Sequence, residues 1–142
     1  VVLPKSVEDV QAIMEICNRN GVKVLSRGGG TGLSGQTVQE GAVVIDYTKY
    51  MHDLIEINAE EQWVRTQPGV TLTELNRQLR PHGLMFTPDP STASRATVGG
   101  AMGKLDTGLA ELKRPAAMNE DIQWDVALAH EVISASVSHI QD

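Results

Sequence analysis

Five glycines lie in the stretch SRGGGTGLSGQ, residues 26–36, directly behind a short apolar run. Glycine loses more conformational freedom on folding than other residues, so it is kept where the chain needs a positive φ or where another group must approach the backbone. Successive amides without side chains can also form a nest, a concave row of N–H groups that binds an anion. The stretch therefore raises two hypotheses, a phosphate-binding loop or a crowded turn without a ligand.

The spacing of the glycines separates the known phosphate-binding motifs. Residues 30–35 satisfy the dinucleotide pattern G-x-G-x-x-G, and Glu56 follows at about the right distance for a ribose hydroxyl. That motif needs a helix at the loop, however, and only residues 36–41 separate it from the next apolar run. A P-loop is excluded because no Gly-Lys-Ser/Thr follows the glycines. The spacing favours a strand–loop–strand path with a nest, and a glycine-rich hairpin or bulge without a ligand stays an alternative.

The elements that must position this loop follow from hydrophobic periodicity and capping residues. Strands are predicted at residues 1–3, 22–25, 42–47, 54–58 and 63–67, and helices begin at Ser6 and at the capping-box pair Thr71 and Glu74. The fourth and fifth strands are close enough along the chain to form a hairpin. The predicted fold class is α/β, or α+β, with a small sheet and flanking helices.

The residue pattern of the sequence changes after residue 103. Residues 1–103 are therefore predicted to be one lobe, and residues 104–118 are predicted to be a linker. Residues 119–142 carry apolar side chains at steps of three and four, which predicts a C-terminal amphipathic helix. Its apolar face must be buried, against the sheet or against a second copy. A homodimer through this helix is therefore a further hypothesis.

Composition excludes several classes of partner. The chain has 142 residues, with 12 Lys and Arg against 18 Asp and Glu and a formal charge of −6, which disfavours nucleic acid and anionic membranes. No apolar stretch approaches the roughly 18 residues that span a bilayer. Cys17 is the only cysteine, which suggests a reducing compartment and a cytoplasmic location. The four histidines share no ligand spacing, so no metal site and no catalytic residue are predicted.

The order of four segments resembles a known family. Residues 1–36, then AVVIDYTKYMHDLIEI, VRTQPGVTLTELNRQLRPHGLMFTPDPST and ATVGGAMG, are similar to the N-terminal part of the FAD-binding domain of the vanillyl-alcohol oxidase and p-cresol methylhydroxylase family. Within that family the likeness is to the glycolate oxidase subunit and to D-lactate and D-2-hydroxyglutarate dehydrogenases. The resemblance covers residues 1 to about 103.

The resemblance implies FAD as the cofactor and a set of residues that bind it. These residues fall into four sets, and the resemblance assigns each set to one part of the cofactor. The first set, in the glycine loop, would bind the pyrophosphate, and the second would bind the adenine and ribose side. The third would lie near the flavin, and the fourth would lie at the diphosphate and flavin end. The four sets are Gly28, Gly29, Gly30, Thr31 and Gly32; Pro68 and Gly69; Pro88, Asp89 and Ser91; and Thr97, Gly99 and Gly100. Some relatives tether FAD through a histidine where this chain has Thr31, so the resemblance implies a non-covalent flavin.

The resemblance also implies a function. The chain would be the FAD-binding portion of a flavin-dependent dehydrogenase or oxidase that acts on a 2-hydroxy acid of the glycolate or D-lactate type. In the family the substrate ligands and the catalytic base belong to a cap domain, so we expect this portion to be inactive alone and to bind FAD weakly or not at all. The alternative is a non-enzymatic α/β module that is retained for packing or self-association.

Overall fold

The described residues form three helical segments, a short 3₁₀ turn and seven short strands. The computed structural model describes residues 1–33, 35, 37–102, 133–136 and 138–139. The elements are α1 (Val7–Arg19), β1 (Lys23–Arg27), β2 (Ala42–Asp46), β3 (Leu54–Asn58), β4 (Trp63–Thr66), α2 (Leu72–Leu79), the 3₁₀ turn Arg80–His82, β5 (Leu84–Met85), β6 (Ile133–Ser136) and β7 (Ser138–His139). Residues 98–102 are also helical.

The N-terminal half is a strand–loop–strand unit packed on α1. Ser6 caps α1, and its Oγ accepts a hydrogen bond from the amide of Asp9 at 3.3 Å. Strands β1 and β2 run parallel, with Leu25 opposite Val44. The strand predicted at residues 1–3 is a single parallel bridge between Val2 and Ile45. Because β1 and β2 are parallel, the glycine loop between them is a crossover, and the hairpin alternative is wrong.

The second half is a hairpin covered by α2. Strands β3 and β4 are antiparallel, as predicted, and the core lies between them, α2 and the helix that begins at residue 98. The buried side chains of this core are Val64, Val70, Leu72, Leu75, Leu79, Leu84, Phe86 and Val98. This core holds the segments around residues 68–72 and 93–98, and the second of these segments contacts the glycine loop at Gly28 and Gly29.

The C-terminal helix predicted over residues 119–142 is wrong at the positions that the structure describes. Ile133–Ser136 forms β6, antiparallel to β4, and Ser138–His139 forms β7, antiparallel to β5. The physical reason is visible in the stretch ISASVSH, where apolar and polar residues alternate with the period of two that a strand requires. The homodimer was predicted to form through the apolar face of this helix, and the strands at residues 133–136 and 138–139 do not provide that face. The rest of the predicted helix and the linker at residues 104–118 lie outside the described residues.

Candidate functional site

The backbone amides of the glycine loop lie at the end of a strand. Residues 28–32 follow β1 at its carboxyl end, the edge at which parallel sheets of α/β proteins bind ligands. Within the part of the chain that the structure describes, none of these five N–H groups donates a hydrogen bond. The same residues are half-buried. This row of donors can therefore bind an external acceptor such as an anion.

Gly28 and Gly29 are glycines because the protein itself leaves no room for a side chain. A Cβ at Gly28 would collide with the hydroxyl of Thr97, and a Cβ at Gly29 would collide with the carbonyl oxygen of Arg95. The crowding that the sequence suggested is therefore found at these two residues. It concerns the side of each residue where a Cβ would lie, and it does not decide whether the loop binds a ligand.

Gly30 is a glycine for a different reason. Its φ is +65°, a left-handed conformation that L side chains rarely adopt. A change in backbone hand of this kind turns successive N–H groups toward one point and forms a nest. The described residues of the loop contain no helix, so the dinucleotide motif, which requires one near Gly35, is excluded.

Thr97, Gly99 and Gly100 form the start of a helix, and the amides of the two glycines already have acceptors. Thr97 is buried, and its Oγ1 accepts from the amide of Gly100 at 3.5 Å. The amide of Gly99 donates to the carbonyl of Pro68 at 3.0 Å, and a Cβ at Gly99 would lie 2.9 Å from the Pro68 Cβ. These residues hold the helix against the loop before Gly69. A role for them in binding the cofactor stays a prediction.

Gly69 is buried in a tight contact between two loops. Its amide donates to the carbonyl of Met51 at 2.8 Å, and a Cβ there would be 2.6 Å from that oxygen. The structure thus brings Gly69 and Pro68 close to Thr97 and the glycine loop. The structure does not bring the predicted residues Pro88, Asp89 and Ser91 to the described cleft. Pro88 is half-buried, and the other two residues are exposed.

An open cleft of about 350 Å³ reaches the glycine loop at Gly29. It is lined by Gly29, Thr48, His52, Gly69, Thr71, Glu74, Arg95 and Thr97. Among these, Glu74 is engaged by α2 itself: its carboxylate accepts from Arg77 at 2.6 and 2.8 Å and from Gln78 at 2.7 Å. The hydrogen bond from Arg77 is the main reason that the pKa of Glu74 falls to about 2. Glu74 therefore stays ionised and paired at neutral pH.

Sequence reasoning missed two arginines at this site. Arg95 lines the cleft, and the guanidinium of Arg27 lies beside Gly30. Arg27 directly precedes the glycines, and this position next to a suspected phosphate loop was a signal that could have identified it. Arg95 carries no comparable signal, since only the fold brings it to Gly29.

A family model describes the same region. The model named FAD binding domain matches residues 1–116 of the chain. The chain belongs to this family of FAD-binding domains. The match covers the glycine loop, both sheets of the first hundred residues and the start of the helix after Thr97. The family supports FAD as the cofactor, as the resemblance implied.

Curated relatives with sequence similarity are enzymes named for 2-hydroxy acids. The D-2-hydroxyglutarate dehydrogenase of Pseudomonas putida is 44% identical over 110 residues, which are 75% of this chain and 11% of that protein. Glycolate oxidase subunit GlcD of Bacillus subtilis is 33% identical over 92% of this chain and 28% of the relative. The D-lactate dehydrogenase of Archaeoglobus fulgidus is 36% identical over 91% and 29%. The chain thus spans less than a third of the length of these relatives.

Solved structures agree with this assignment of the fold. A structure of alkyldihydroxyacetonephosphate synthase superimposes with a TM-score of 0.62 and 29% identity, over 70% of this chain and 19% of the neighbour. Within the described residues, no helix is both long and apolar enough to cross a membrane. The same residues contain no group of three His, Cys, Asp or Glu side chains that could hold a metal.

Proposed function

We propose that the loop of residues 28–32 binds the pyrophosphate of FAD, and that the chain is the first part of the flavin domain of a dehydrogenase or oxidase acting on a 2-hydroxy acid. The observation that carries the proposal is the row of five amides at the carboxyl end of β1, which have no acceptor among the described residues. The names of the relatives supply the class of substrate.

The residues fit a pyrophosphate on physical grounds. Charge-assisted hydrogen bonds from peptide N–H groups to an anionic oxygen are about twice as strong as neutral ones. Gly30, with φ +65°, allows the amides of its neighbours to converge, and the packing at Gly28 and Gly29 holds the loop in place. A preorganised row of donors needs little rearrangement on binding, so more of the interaction energy becomes affinity.

Bound FAD would supply the redox chemistry by accepting two electrons from the substrate, while the protein supplies binding and orientation. Thr31 cannot form the covalent link that a histidine forms at this place in some relatives, so the flavin is held without a covalent bond. Thr97, Gly99 and Gly100 would approach the cofactor from the start of the helix at residues 98–102. Pro68 and Gly69 would lie toward its adenosine, and Pro88, Asp89 and Ser91 toward its flavin.

Affinity of this chain alone is expected to be low. The cleft of about 350 Å³ is open, and ligand pockets that bind tightly usually enclose most of the ligand. The loop offers polar contacts to the pyrophosphate, whereas the isoalloxazine ring finds little apolar enclosure in the described residues. We therefore expect no activity on a 2-hydroxy acid from this chain alone.

A thermal-shift titration tests the proposal. About 1 mM FAD, if it is near ten times the dissociation constant, adds about 1.4 kcal/mol and raises the melting temperature by about 4 °C. Riboflavin, which has the same ring and no phosphate, is the matched control and should give no shift. An unchanged melting temperature with FAD, or equal shifts with both flavins, contradicts the proposal.

A further inference from the structure

We propose that Asn20 is a modification site, at which the side chain amide converts to a carboxylate when the cap at the end of α1 opens. Asn20 is the only asparagine of the chain that is followed by a glycine, and both Asn20 and Gly21 are exposed. The site lies at the end of α1 that leads into β1, and it is independent of the binding of FAD.

An asparagine followed by a glycine is prone to an intramolecular reaction. The backbone nitrogen of Gly21 attacks Cγ of Asn20 and forms a bond to it, and the bond between Cγ and Nδ2 breaks. Nδ2 leaves as ammonia and takes the proton of the Gly21 amide. Water then opens the cyclic imide at either carbonyl and leaves aspartate or isoaspartate at residue 20. Glycine favours the attack because it has no Cβ beside the nitrogen and gives the backbone more freedom to turn.

The fold holds the attacking nitrogen in a Schellman motif. Asn20 is the C-cap of α1, and Gly21 follows it with a φ of +63°. The amide of Gly21 donates to the carbonyl of Asn18 at 3.2 Å, and the amide of Val22 donates to the carbonyl of Cys17 at 2.8 Å. These two hydrogen bonds are the pair that defines the motif. The Gly21 nitrogen must therefore lose its acceptor before it can turn toward Cγ of Asn20.

The leaving amide is held by the same cap. Nδ2 of Asn20 donates to the carbonyl of Ile16 at 2.7 Å, and the backbone amide of Asn20 donates to the same carbonyl at 3.2 Å. Reacting atoms must come within about 3–3.5 Å of each other in an aligned geometry. Both reacting groups are engaged in hydrogen bonds of the closed cap, so the reaction requires the cap to open.

The end of α1 is a segment that can open without unfolding of the whole chain. Residues 18–23 are exposed, and nothing lies within 4 Å of the place where a Cβ at Gly21 would be. Cys17 is buried and anchors the last full turn of the helix. Exposed segments with few packing contacts open at a lower free energy than the core does. The cap therefore acts as a gate for the reaction at Asn20.

The reaction is irreversible, and its products weaken the cap. Aspartate at residue 20 has no N–H group to donate to the carbonyl of Ile16. It also adds a negative charge at the C-terminus of α1, where the helix dipole is already negative. Isoaspartate lengthens the backbone between residue 20 and Gly21, which displaces the Gly21 amide from the carbonyl of Asn18. One opening that leads to reaction thus makes later openings of the same cap more frequent.

Peptide mass spectrometry of the full chain, incubated in native buffer and in urea that unfolds it, tests the site. In urea, Asn20 should react at least about tenfold faster than Asn18, which is followed by arginine and is the internal control. At Asn20 the reaction in native buffer should be at least about tenfold slower than in urea, because only the open fraction reacts. Equal rates at the two asparagines in urea would overturn the site. Equal rates at Asn20 in the two solutions would overturn the gate.

Two aspartate variants test the consequence for the cap. Asn20→Asp adds a charge and removes the donor to Ile16, so its melting temperature should fall by about 3–6 °C. Asn18→Asp is the matched control, because it adds the same charge to the last turn of α1 and leaves the hydrogen bond of Asn20 in place. Its melting temperature should fall by less than half as much. Equal melting temperatures of the two variants would show that Nδ2 does not hold the cap and would overturn the proposal.

Discussion

Three adjacent glycines in the loop have three separate physical causes, although they look alike in the sequence. Gly28 faces the Thr97 hydroxyl, Gly29 faces a backbone carbonyl, and Gly30 has a positive φ. A side chain hydroxyl can rotate away, whereas a carbonyl in a fixed segment cannot. The cost of adding a methyl group should therefore differ among them.

Gly29→Ala is expected to lower the free energy of unfolding by about 2–3 kcal/mol, because the Arg95 carbonyl must shift to admit a Cβ. Gly21→Ala is the matched control, since nothing lies within 4 Å of its Cβ position and only the strain of a φ of +63° remains. That strain costs about 1–2 kcal/mol. Urea denaturation measures both. A Gly29→Ala protein as stable as the wild type would contradict the described packing.

Glu74 predicts a specific dependence of stability on pH. Hydrogen bonds from Arg77 and Gln78 lower its pKa from 4.5 to about 2 in the folded chain. A depressed carboxyl pKa stabilises the fold fully above pH 4.5, and the contribution is lost as pH falls through about 2. The stability difference between wild type and Glu74→Gln should therefore shrink over this interval. A carboxyl NMR titration of Glu74 with a midpoint near 4.5 would contradict the pairing.

The glycines and the helix caps Ser6 and Thr71 could be predicted from the sequence because each depends on local backbone chemistry. Thr71 caps α2 as expected, with its Oγ1 accepting from the Glu74 amide at 3.3 Å. The capping box is only half formed, because the Glu74 carboxylate bonds to Arg77 instead. Arg95 could not be predicted, since its proximity to Gly29 results from long-range packing and not from sequence spacing.

At the scale of elements, the hairpin turn between β3 and β4 contains a strained residue. Gln62 has a φ of +58°, the one positive φ of a non-glycine residue among those described. The turn is otherwise well bonded, with the Asn58 Oδ1 accepting from the Glu61 amide at 3.0 Å and the Trp63 indole donating to the Glu61 carboxylate at 2.8 Å. A left-handed residue next to a turn fits the bulged hairpin loops of other proteins.

Gln62→Val is expected to destabilise the fold by about 1–2 kcal/mol, because a β-branched side chain fits poorly at a positive φ. Gln62→Gly relieves the strain and adds entropy to the unfolded chain, so the two effects should nearly cancel. Thermal unfolding of both variants measures the difference. Equal stability of the valine and glycine proteins would exclude the left-handed conformation.

The pairing of β6 with β4 predicts different effects for two adjacent prolines. In a strand at the edge of a sheet, successive amides point alternately toward the neighbour and away from it. One of Ser134→Pro and Ala135→Pro should therefore remove a ladder hydrogen bond and cost about 1–3 kcal/mol, while the other costs clearly less. Denaturation of the two variants decides this. Two harmless prolines would contradict the pairing in which Ala135 lies opposite Val64.

Most elements were predictable because the apolar residues of each one recur with a single clear period, that of a helix or that of a strand. The hairpin and both helices through residue 79 have this property, whereas the stretch at residues 133–139 fits both periods. Its apolar residues can be assigned to steps of three and four or to steps of two. Only the unpaired edge of β4, which the sequence does not display, favours the strand.

At the scale of the whole molecule, the fold gathers three separate segments of the candidate site at one end of the parallel strands. The glycine loop, the loop at Gly69 and the helix after Thr97 meet there, although they are far apart in sequence. The family model spans residues 1–116 and includes all three. The resemblance stated from four ordered motifs is confirmed by that match. Composition or periodicity alone would have indicated only an α/β domain.

The central claim is that the amides of residues 28–32 receive a pyrophosphate, and NMR measures this directly. ADP is titrated into the ¹⁵N-labelled chain while the amide resonances are followed. The account predicts downfield proton shifts concentrated at Gly28, Gly29, Gly30, Thr31 and Gly32, since their N–H groups gain an acceptor. Saturable shifts that leave these five amides unmoved, or no shifts at millimolar ADP, would contradict it.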